Sequence, residues 1–199
     1  RVAGVETSKG PIDCDKLGMV VAGNASHLSE MAGFRLPMES VALQALVSEP
    51  IKPCMDVVVM ANTVHGYMSQ SDKGEMVIGG GTDAANNYTQ RGSFHHIEET
   101  VRALVETFPM VSRLKMLRQW GGIVDVTGDR SPLISKTPVG NCFINAGWGT
   151  GGFKAIPGSG WAMAELMATG HSPLTEEFSI NRFKEGKFID ESVAAGVAH

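Results

Sequence analysis

The stretch AGWGTGGFKAIPGSG, residues 146–160, decides the fold class of this sequence. It follows an apolar run at 142–146 that is typical of a buried strand, and it places four glycines within the six residues 147–152. Glycine lets backbone N–H groups approach a flat or anionic ligand, because no Cβ holds the ligand away. A helix predicted to begin near Pro157 and to end at Gly170 would direct its positive end towards such a ligand. The pattern therefore predicts a strand, a glycine loop and a helix that together form a candidate loop for an anion or a cofactor.

Two common phosphate-binding motifs do not describe this loop. The P-loop spacing G-x-x-x-x-G-K-S/T is absent, and the loop does not match G-x-G-x-x-G followed by an acidic residue about 20 positions later. Lys154 adds a mobile cation suited to a carboxylate. An isolated loop lysine is more often simply solvated, so the residues alone leave both roles open.

The residues before the loop predict a hairpin and a buried strand. Residues 2–12 alternate with a Gly-Pro turn, which indicates a β-hairpin. The apolar run 17–24 is typical of a strand in a parallel sheet. Ser26 is predicted to cap a short helix from His27 to Met31.

The middle of the chain predicts an antiparallel sheet with a helix. Four strand-like segments separated by turn residues lie at 43–48, 56–61, 66–69 and 75–79. Ser93 is predicted to cap a helix with apolar residues at helical spacing up to Phe108. Further strands are predicted at 118–126 and 142–146. The fold class is therefore mixed α/β (α+β), with part of a Rossmann-like nucleotide-binding domain and an antiparallel-sheet domain with helices.

The composition is that of an ordinary globular chain. Hydrophobic residues make up 43% and charged residues 19% of the 199 residues, which supports a buried core. The net charge is −4 and the 17 Lys and Arg residues are not clustered, which argues against a nucleic-acid partner. No apolar run approaches about 18 residues, so we expect no membrane partner.

The three cysteines and the first residue also carry expectations. Cys14, Cys54 and Cys142 lack C-x-x-C spacing, so we expect free thiols, no metal site and a cytoplasmic location. The chain opens at Arg1 without a methionine or a signal peptide, so we expect it to be a piece of a longer protein.

The glycine loop resembles the C-terminal flavin loop of the amine-oxidising flavoproteins related to D-amino acid oxidase. In that family a glycine-rich stretch ending in Gly-Phe-Lys passes the flavin ring, and its lysine binds the substrate carboxylate. The sequence is similar in particular to β subunits of heterotetrameric sarcosine oxidases. The segments that carry this similarity are 32–37, 43–49, 90–92, 120–125, 134–138 and 197–199. The resemblance covers nearly the whole chain.

The resemblance implies a set of site residues around FAD. Lys154 is the implied catalytic residue, because it stands where the family lysine holds the carboxylate. The implied FAD contacts are Gly121, Gly122, Gly149, Thr150, Gly151, Gly152 and Phe153. FAD is expected to be non-covalent, because no cysteine lies near Gly121 and Gly122, where related single-chain enzymes tether it.

The resemblance also implies FMN, shared with an α subunit. The family attaches FMN to a histidine in a segment resembling Ala-Gly-His-Ser-Ser, and here the matching residues are Ala22, Gly23 and Asn24, with His27 three residues later. An asparagine cannot form the histidyl–flavin bond. FMN is then bound non-covalently, or is attached to His27, or the two segments do not correspond.

The implied activity is oxidative demethylation of sarcosine to glycine with flavin reduction, in an assembly with α, γ and δ subunits. Under this resemblance residues 1–37 are the later part of an FAD-binding domain, residues 38–119 are an antiparallel substrate domain, and residues 120–199 return to the FAD-binding domain. An N-terminal G-x-G-x-x-G cradle is not found, so we expect the isolated chain to bind FAD weakly or not at all. The alternatives are a related oxidase or dehydrogenase of dimethylglycine, glycine or proline, or an inactive structural and interaction body.

Overall fold

The computed structural model describes residues 1–61, 66–83 and 85–189. Its described residues divide into two units: one contains residues 1–40 and 124–189, and the other contains the described residues of Val41–Ile123. We call them unit 1 and unit 2. Two strands, β4 (Met38–Pro50) and β8 (Met116–Thr127), begin in one unit and end in the other. Part of the segment predicted at 120–199 and the similarity at 197–199 lie outside the described residues.

Unit 1 contains most of the short strands and three of the helices. Besides the ends of β4 and β8, its elements are β1 (Gly4–Thr7), β2 (Gly10–Asp13), β3 (Leu17–Met19), α1 (Ala25–Met31), β9 (Leu133–Lys136), β10 (Cys142–Ala146), α3 (Gly152–Thr169) and α4 (Arg182–Glu185). β1 and β2 form the predicted hairpin, but its turn is Ser8–Lys9, and Gly10 and Pro11 already belong to β2.

The central sheet of unit 1 has the strand order β3-β10-β9. β10 pairs with β3 in parallel, with Cys142 opposite Leu17, and with β9 in antiparallel orientation. The parallel pair confirms the parallel-sheet strand predicted from the apolar run 17–24. β3 is shorter than predicted, because the chain leaves the sheet after Met19 and enters a turn at Ala22–Asn24.

The two faces of β10 bury different cores, because successive side chains of a strand point to opposite faces. Cys142, Ile144 and Ala146 pack with Met19 and Ala25, the first residue of α1. On the other face Phe143 packs with side chains of β9 and α3, namely Ile134, Met163 and Leu166. The helices α1 and α3 therefore cover opposite faces of the sheet.

The starts of α1 and α3 correct the sequence prediction. α1 begins at Ala25 with Asn24 at the N-cap, so Ser26 is not the cap, and its buried hydroxyl has no hydrogen-bond partner among the described residues. α3 begins at Gly152, five residues before Pro157, which lies inside the helix. Its predicted end at Gly170 is confirmed, since Gly170 adopts φ +82° at the C-terminus of the helix.

The last described segment is held by a buried ion pair. The Arg182 guanidinium donates to both carboxylate oxygens of Asp129, at 2.7 and 2.8 Å, and both side chains are about 96–97% buried. The same guanidinium donates to the carbonyls of Pro132 and Ser131. Burial would raise the pKa of Asp129, but the hydrogen bonds from Arg182 and from backbone N–H groups outweigh it and lower the pKa.

Unit 2 is built on one five-stranded sheet of order β5-β6-β7-β4-β8. Its elements within 41–123, besides parts of β4 and β8, are β5 (Val59–Ala61), β6 (Gly66–Gln70), β7 (Glu75–Thr82) and α2 (Phe94–Thr107). The pairs β5–β6, β6–β7 and β4–β7 are antiparallel, which confirms the predicted antiparallel sheet. Its core includes Met68, Ile78 and Leu104, each fully buried, and each stabilises the fold by about 1.5–3 kcal/mol.

Ser93 stands at the N-cap of α2 as predicted, but its hydroxyl does not cap the helix. The hydroxyl donates to the Asp83 carboxylate at 3.1 Å and accepts a hydrogen bond from the side-chain amide of Gln44. The side-chain oxygen of Gln44 in turn accepts the Ser93 N–H at 2.8 Å. The start of α2 is therefore fixed to β4 and to the end of β7.

The mixed α/β fold class is confirmed. No helix in the described part of the chain is long and apolar enough to cross a membrane.

Candidate functional site

The candidate site is the edge of the unit 1 sheet at which β3 and β10 end, and we call this edge the crevice. Because β3 and β10 are parallel, their carboxyl ends meet at the same edge. β3 leads into the turn Ala22–Asn24 and α1, whereas β10 leads into the glycine loop and α3. Since the two helices diverge to opposite faces, the chain opens between the two connections. In open α/β sheets ligands bind at such a divergence point.

The glycine loop is held by backbone conformations that require glycine. Gly147 has φ +79° and Gly149 has φ +51°. A Cβ on Gly147 would also lie 2.8 Å from Cγ2 of Thr127, which no ordinary contact allows. The residues 147–152 therefore form a turn of fixed geometry.

Asp125, near the end of β8, fixes this turn. Its carboxylate accepts the Gly147 N–H at 2.6 Å, and its main-chain carbonyl accepts the Gly149 N–H at 2.9 Å. Val126 and Trp148 form an antiparallel bridge beside these bonds. The end of β8 thus continues as a short ladder along the loop.

Two further bonds order the loop from within. The indole N–H of Trp148 donates to Oδ1 of buried Asn145 at 2.6 Å, and the Gly151 N–H donates to the Trp148 carbonyl at 2.9 Å. The N–H groups of Gly147, Gly149 and Gly151 are therefore all used inside the protein.

The N–H groups left for a ligand are at the start of α3. The first N–H groups of a helix have no partner within the helix, and they lie at its positive end. In α3 these belong to Gly152, Phe153 and Lys154, and none of them donates to another described residue. Thr150, also exposed, precedes them. Because α3 begins at Gly152, earlier than predicted, its free N–H groups lie directly at the glycine loop.

Lys154 lies in the first turn of α3 and is exposed. Its Cε is 3.9 Å from the position that a Cβ on Gly151 would take, so the side chain passes close to the loop backbone. It forms no ion pair with any described residue. Phe153, the residue before it, is 89% exposed, so the first turn of α3 carries both an exposed aromatic ring and an exposed cation.

The glycines of this loop follow part of the dinucleotide-binding pattern but not all of it. Gly147, Gly149 and Gly152 do stand at G-x-G-x-x-G between a strand and a helix. The first acidic residue after them, Glu165, lies within α3 and accepts the Ser172 hydroxyl at 2.5 Å, so it is not placed for a ribose. No strand follows α3 in the described part of the chain. The loop is thus not part of the βαβ unit that the dinucleotide fingerprint requires.

The geometry fits one end of a flavin cofactor. The free N–H groups at the start of α3 suit the charge that a reduced flavin ring carries. A cradle for the pyrophosphate end is not found among the described residues.

Within those residues no group of three or more His, Cys, Asp or Glu side chains could hold a metal ion. Burial raises the pKa of the Cys142 thiol in β10, which keeps it neutral.

The residues implied for FMN lie on the other side of the crevice. Ala22 has φ +45° and is exposed, and the buried Gly23 accepts the Ser40 hydroxyl through its carbonyl at 2.9 Å. Asn24 and His27 are exposed at the start of α1. The structure therefore brings Ala22–Asn24 and the loop residues Gly149–Phe153 to the same sheet edge in unit 1.

Gly121 and Gly122 belong to unit 2. Gly121 is buried, donates its N–H to the Gln90 carbonyl at 2.8 Å, and has no room for a Cβ beside the Thr89 carbonyl at 2.9 Å. Close packing therefore explains Gly121, and the FAD contact implied for both glycines stays a prediction.

Sequence interpretation missed Asp125, Asn145 and Trp148 as residues that order the site. Asp125 follows the apolar residues Ile123 and Val124 of β8, and an acidic residue after an apolar stretch indicates a buried carboxylate with a specific partner. Its partner lies 22 positions further on, and no local pattern indicates that contact.

Comparison with known proteins places this fold and site in a class. The family described as FAD dependent oxidoreductase matches residues 1–166. The sarcosine oxidase subunit beta of Rhodobacter capsulatus is 77% identical over 199 residues, which are 100% of this chain and 48% of that protein. The corresponding subunit of an Arthrobacter species is 51% identical, over 100% of this chain and 49% of that protein.

A solved structure agrees with these sequence matches. L-proline dehydrogenase from P. horikoshii superposes with a TM-score of 0.84 at 26% identity, over 94% of this chain and 52% of that one. This chain belongs to the FAD-dependent oxidoreductase family. It spans about half the length of the curated relatives it matches.

Proposed function

We propose that this chain supplies the flavin-ring and substrate-carboxylate contacts of a sarcosine oxidase β subunit, which converts sarcosine to glycine by oxidative demethylation. The observation that supports this most is the start of α3, where free N–H groups, Phe153 and Lys154 lie together at the crevice. The 77% identity to a sarcosine oxidase subunit beta supports the choice of substrate.

The proposed chemistry divides between the cofactor and the chain. FAD, when bound, supplies the acceptor for the hydride equivalent from the N-methyl group. Lys154 binds the carboxylate of the amino acid and so orients its methyl group. The positive end of α3 stabilises negative charge that develops along the glycine loop. Gly149, Thr150, Gly151 and Gly152 carry the backbone on which the cofactor lies.

Substitution of Lys154 in the full-length subunit, assembled with its partners, tests this function. A charged hydrogen bond contributes about 1.5–3 kcal/mol, so Lys154→Ala should raise KM for sarcosine by about 10- to 100-fold. Lys9, exposed in the β1–β2 turn, is the matched control, and Lys9→Ala should leave KM unchanged. Equal KM values for Lys154→Ala and the unsubstituted enzyme would remove Lys154 from the substrate site.

A second substrate has support from one structure. L-proline dehydrogenase superposes over most of this chain at 26% identity, so proline is the main alternative to sarcosine, with dimethylglycine and glycine behind it. Initial rates of the assembled enzyme with these four amino acids decide between them. The remaining alternative is that the isolated chain is a structural and interaction body without activity, and it predicts that the purified 199-residue chain lacks the yellow colour of bound flavin.

We also propose the assembly and the second cofactor. The subunit works with α, γ and δ subunits in the cytoplasm, which the free thiols Cys14, Cys54 and Cys142 support. FMN is shared with the α subunit and contacts Ala22, Gly23, Asn24 or His27. Because Asn24 cannot form a histidyl bond, acid precipitation should release FMN into the supernatant. Flavin that stays with the protein and is lost in His27→Ala would show attachment at His27 instead.

A further inference from the structure

Asp125 is an unusual residue in the crevice, because it is a carboxylate with 3% exposure and no cation beside it. Among the described residues it forms no ion pair, and its one side-chain bond is the 2.6 Å bond from the Gly147 N–H. Its main-chain carbonyl holds Gly149. One residue thus binds both glycines that adopt positive φ in the loop.

Burial of a carboxylate is costly unless the charge is used. The contacts show what it is used for: the short bond to Gly147 is charge-assisted and therefore stronger than one from a neutral acceptor. Gly147 is the first residue after β10, so this bond sets the direction in which the chain leaves the sheet. This direction also determines the path of residues 148–151 and so the position of the free N–H groups of Gly152 and Phe153.

We infer that Asp125 is a positioning residue for the flavin cofactor: through Gly147 and Gly149 it holds the loop in the one conformation that aims the start of α3 at the ring. This inference rests on the proposed function. Asp125 itself acts through the loop backbone, and the carboxylate serves as an acceptor whose strength fixes the turn.

The test compares FAD affinity among variants of the full-length subunit, after removal and re-addition of FAD. Asp125→Ala removes the acceptor and leaves the Gly147 N–H without a partner, so Kd for FAD should rise about tenfold or more. Asp125→Asn keeps an acceptor of the same shape but loses its charge, so its Kd should lie between those of Asp125→Ala and the unsubstituted subunit, with a partial recovery of the visible circular dichroism of the bound flavin.

Asp129→Asn is the matched control, because Asp129 is another buried carboxylate of unit 1 that binds Arg182 and not the loop. It should lower the melting temperature without changing Kd for FAD measured well below that temperature. If Asp125→Ala does not fold, Asp125→Leu, which fills the same space without an acceptor, replaces it.

Three results overturn the inference: Asp125→Ala binds FAD as tightly as the unsubstituted subunit, Asp125→Asn gives no recovery, or Asp129→Asn weakens FAD as much as Asp125→Ala. An unsubstituted full-length subunit that binds no FAD is a different result, since it refutes the proposed function itself.

Discussion

Gly147→Ala is expected to destabilise unit 1 in two separable ways. At φ +79° an alanine costs about 1–2 kcal/mol of backbone strain. The new Cβ would lie 2.8 Å from Cγ2 of Thr127, and overpacking of this kind costs about 1–3 kcal/mol. The total is about 2–5 kcal/mol, which corresponds to a fall in Tm of about 4–20 °C for a domain of 150–250 residues.

A second substitution separates the two costs. Thr127→Ser removes Cγ2 but keeps the hydroxyl that donates to the Ser131 carbonyl at 2.7 Å. In Gly147→Ala/Thr127→Ser the steric cost should disappear, so thermal unfolding followed by circular dichroism should show partial recovery and a favourable coupling energy. The backbone cost remains. If Gly147→Ala changes stability by less than about 0.5 kcal/mol, or if the double variant is no more stable than the single one, the described loop conformation is wrong.

Further predictions concern the ion pair, the pH dependence, the thiols and the cofactor. Arg182→Met leaves the carboxylate of Asp129 buried and unpaired, so chemical denaturation should show a loss of about 3–5 kcal/mol, and Arg182→Met/Asp129→Leu should recover most of it. Because the pKa of Asp129 is lowered in the folded state, its contribution is present at neutral pH and is lost as the pH falls below about 4 through the folded pKa; acid titrations of Asp129→Asn should lack that part of the pH dependence. Burial raises the pKa of Cys142, so mass spectrometry after brief iodoacetamide treatment should find exposed Cys54 alkylated and Cys142 unmodified until the protein unfolds. The 199-residue chain alone should bind FAD weakly or not at all in an equilibrium titration, and a tight one-to-one complex contradicts this.

The sequence predicts the elements whose signals are local. The apolar run 17–24 indicated a strand in a parallel sheet, and the structure confirms this, since β3 pairs with β10 in parallel. The predicted start of α3 was wrong. Proline is favoured in the first turn of a helix, but a helix also accommodates it at an interior position with the loss of one hydrogen bond. Here Pro157 lies inside the helix, and Gly151 precedes its first residue. Residue preference alone does not distinguish the two positions.

The candidate site divides in the same way. Glycine content indicated the loop, since glycine is needed where φ is positive, and the resemblance to the amine-oxidising flavoproteins pointed to Lys154. Asp125 was missed because its role depends on a bond to Gly147 across two strands and a turn. Ser93 shows the converse: it is a good capping residue at an N-cap, yet its hydroxyl binds Asp83 and does not cap the helix. Non-local bonds of this kind are set by the packed fold.

The division of unit 1 along the chain has a consequence for synthesis on the ribosome. β3 must wait for β10, and Met19 and Cys142 are about 120 residues apart in the chain. At about 5–20 residues per second this wait lasts about 6–24 s. Unit 2, which is continuous from Val41 to Ile123, can fold within that interval. The β3–β10 contacts of unit 1 can therefore form only after the ribosome has made all of unit 2.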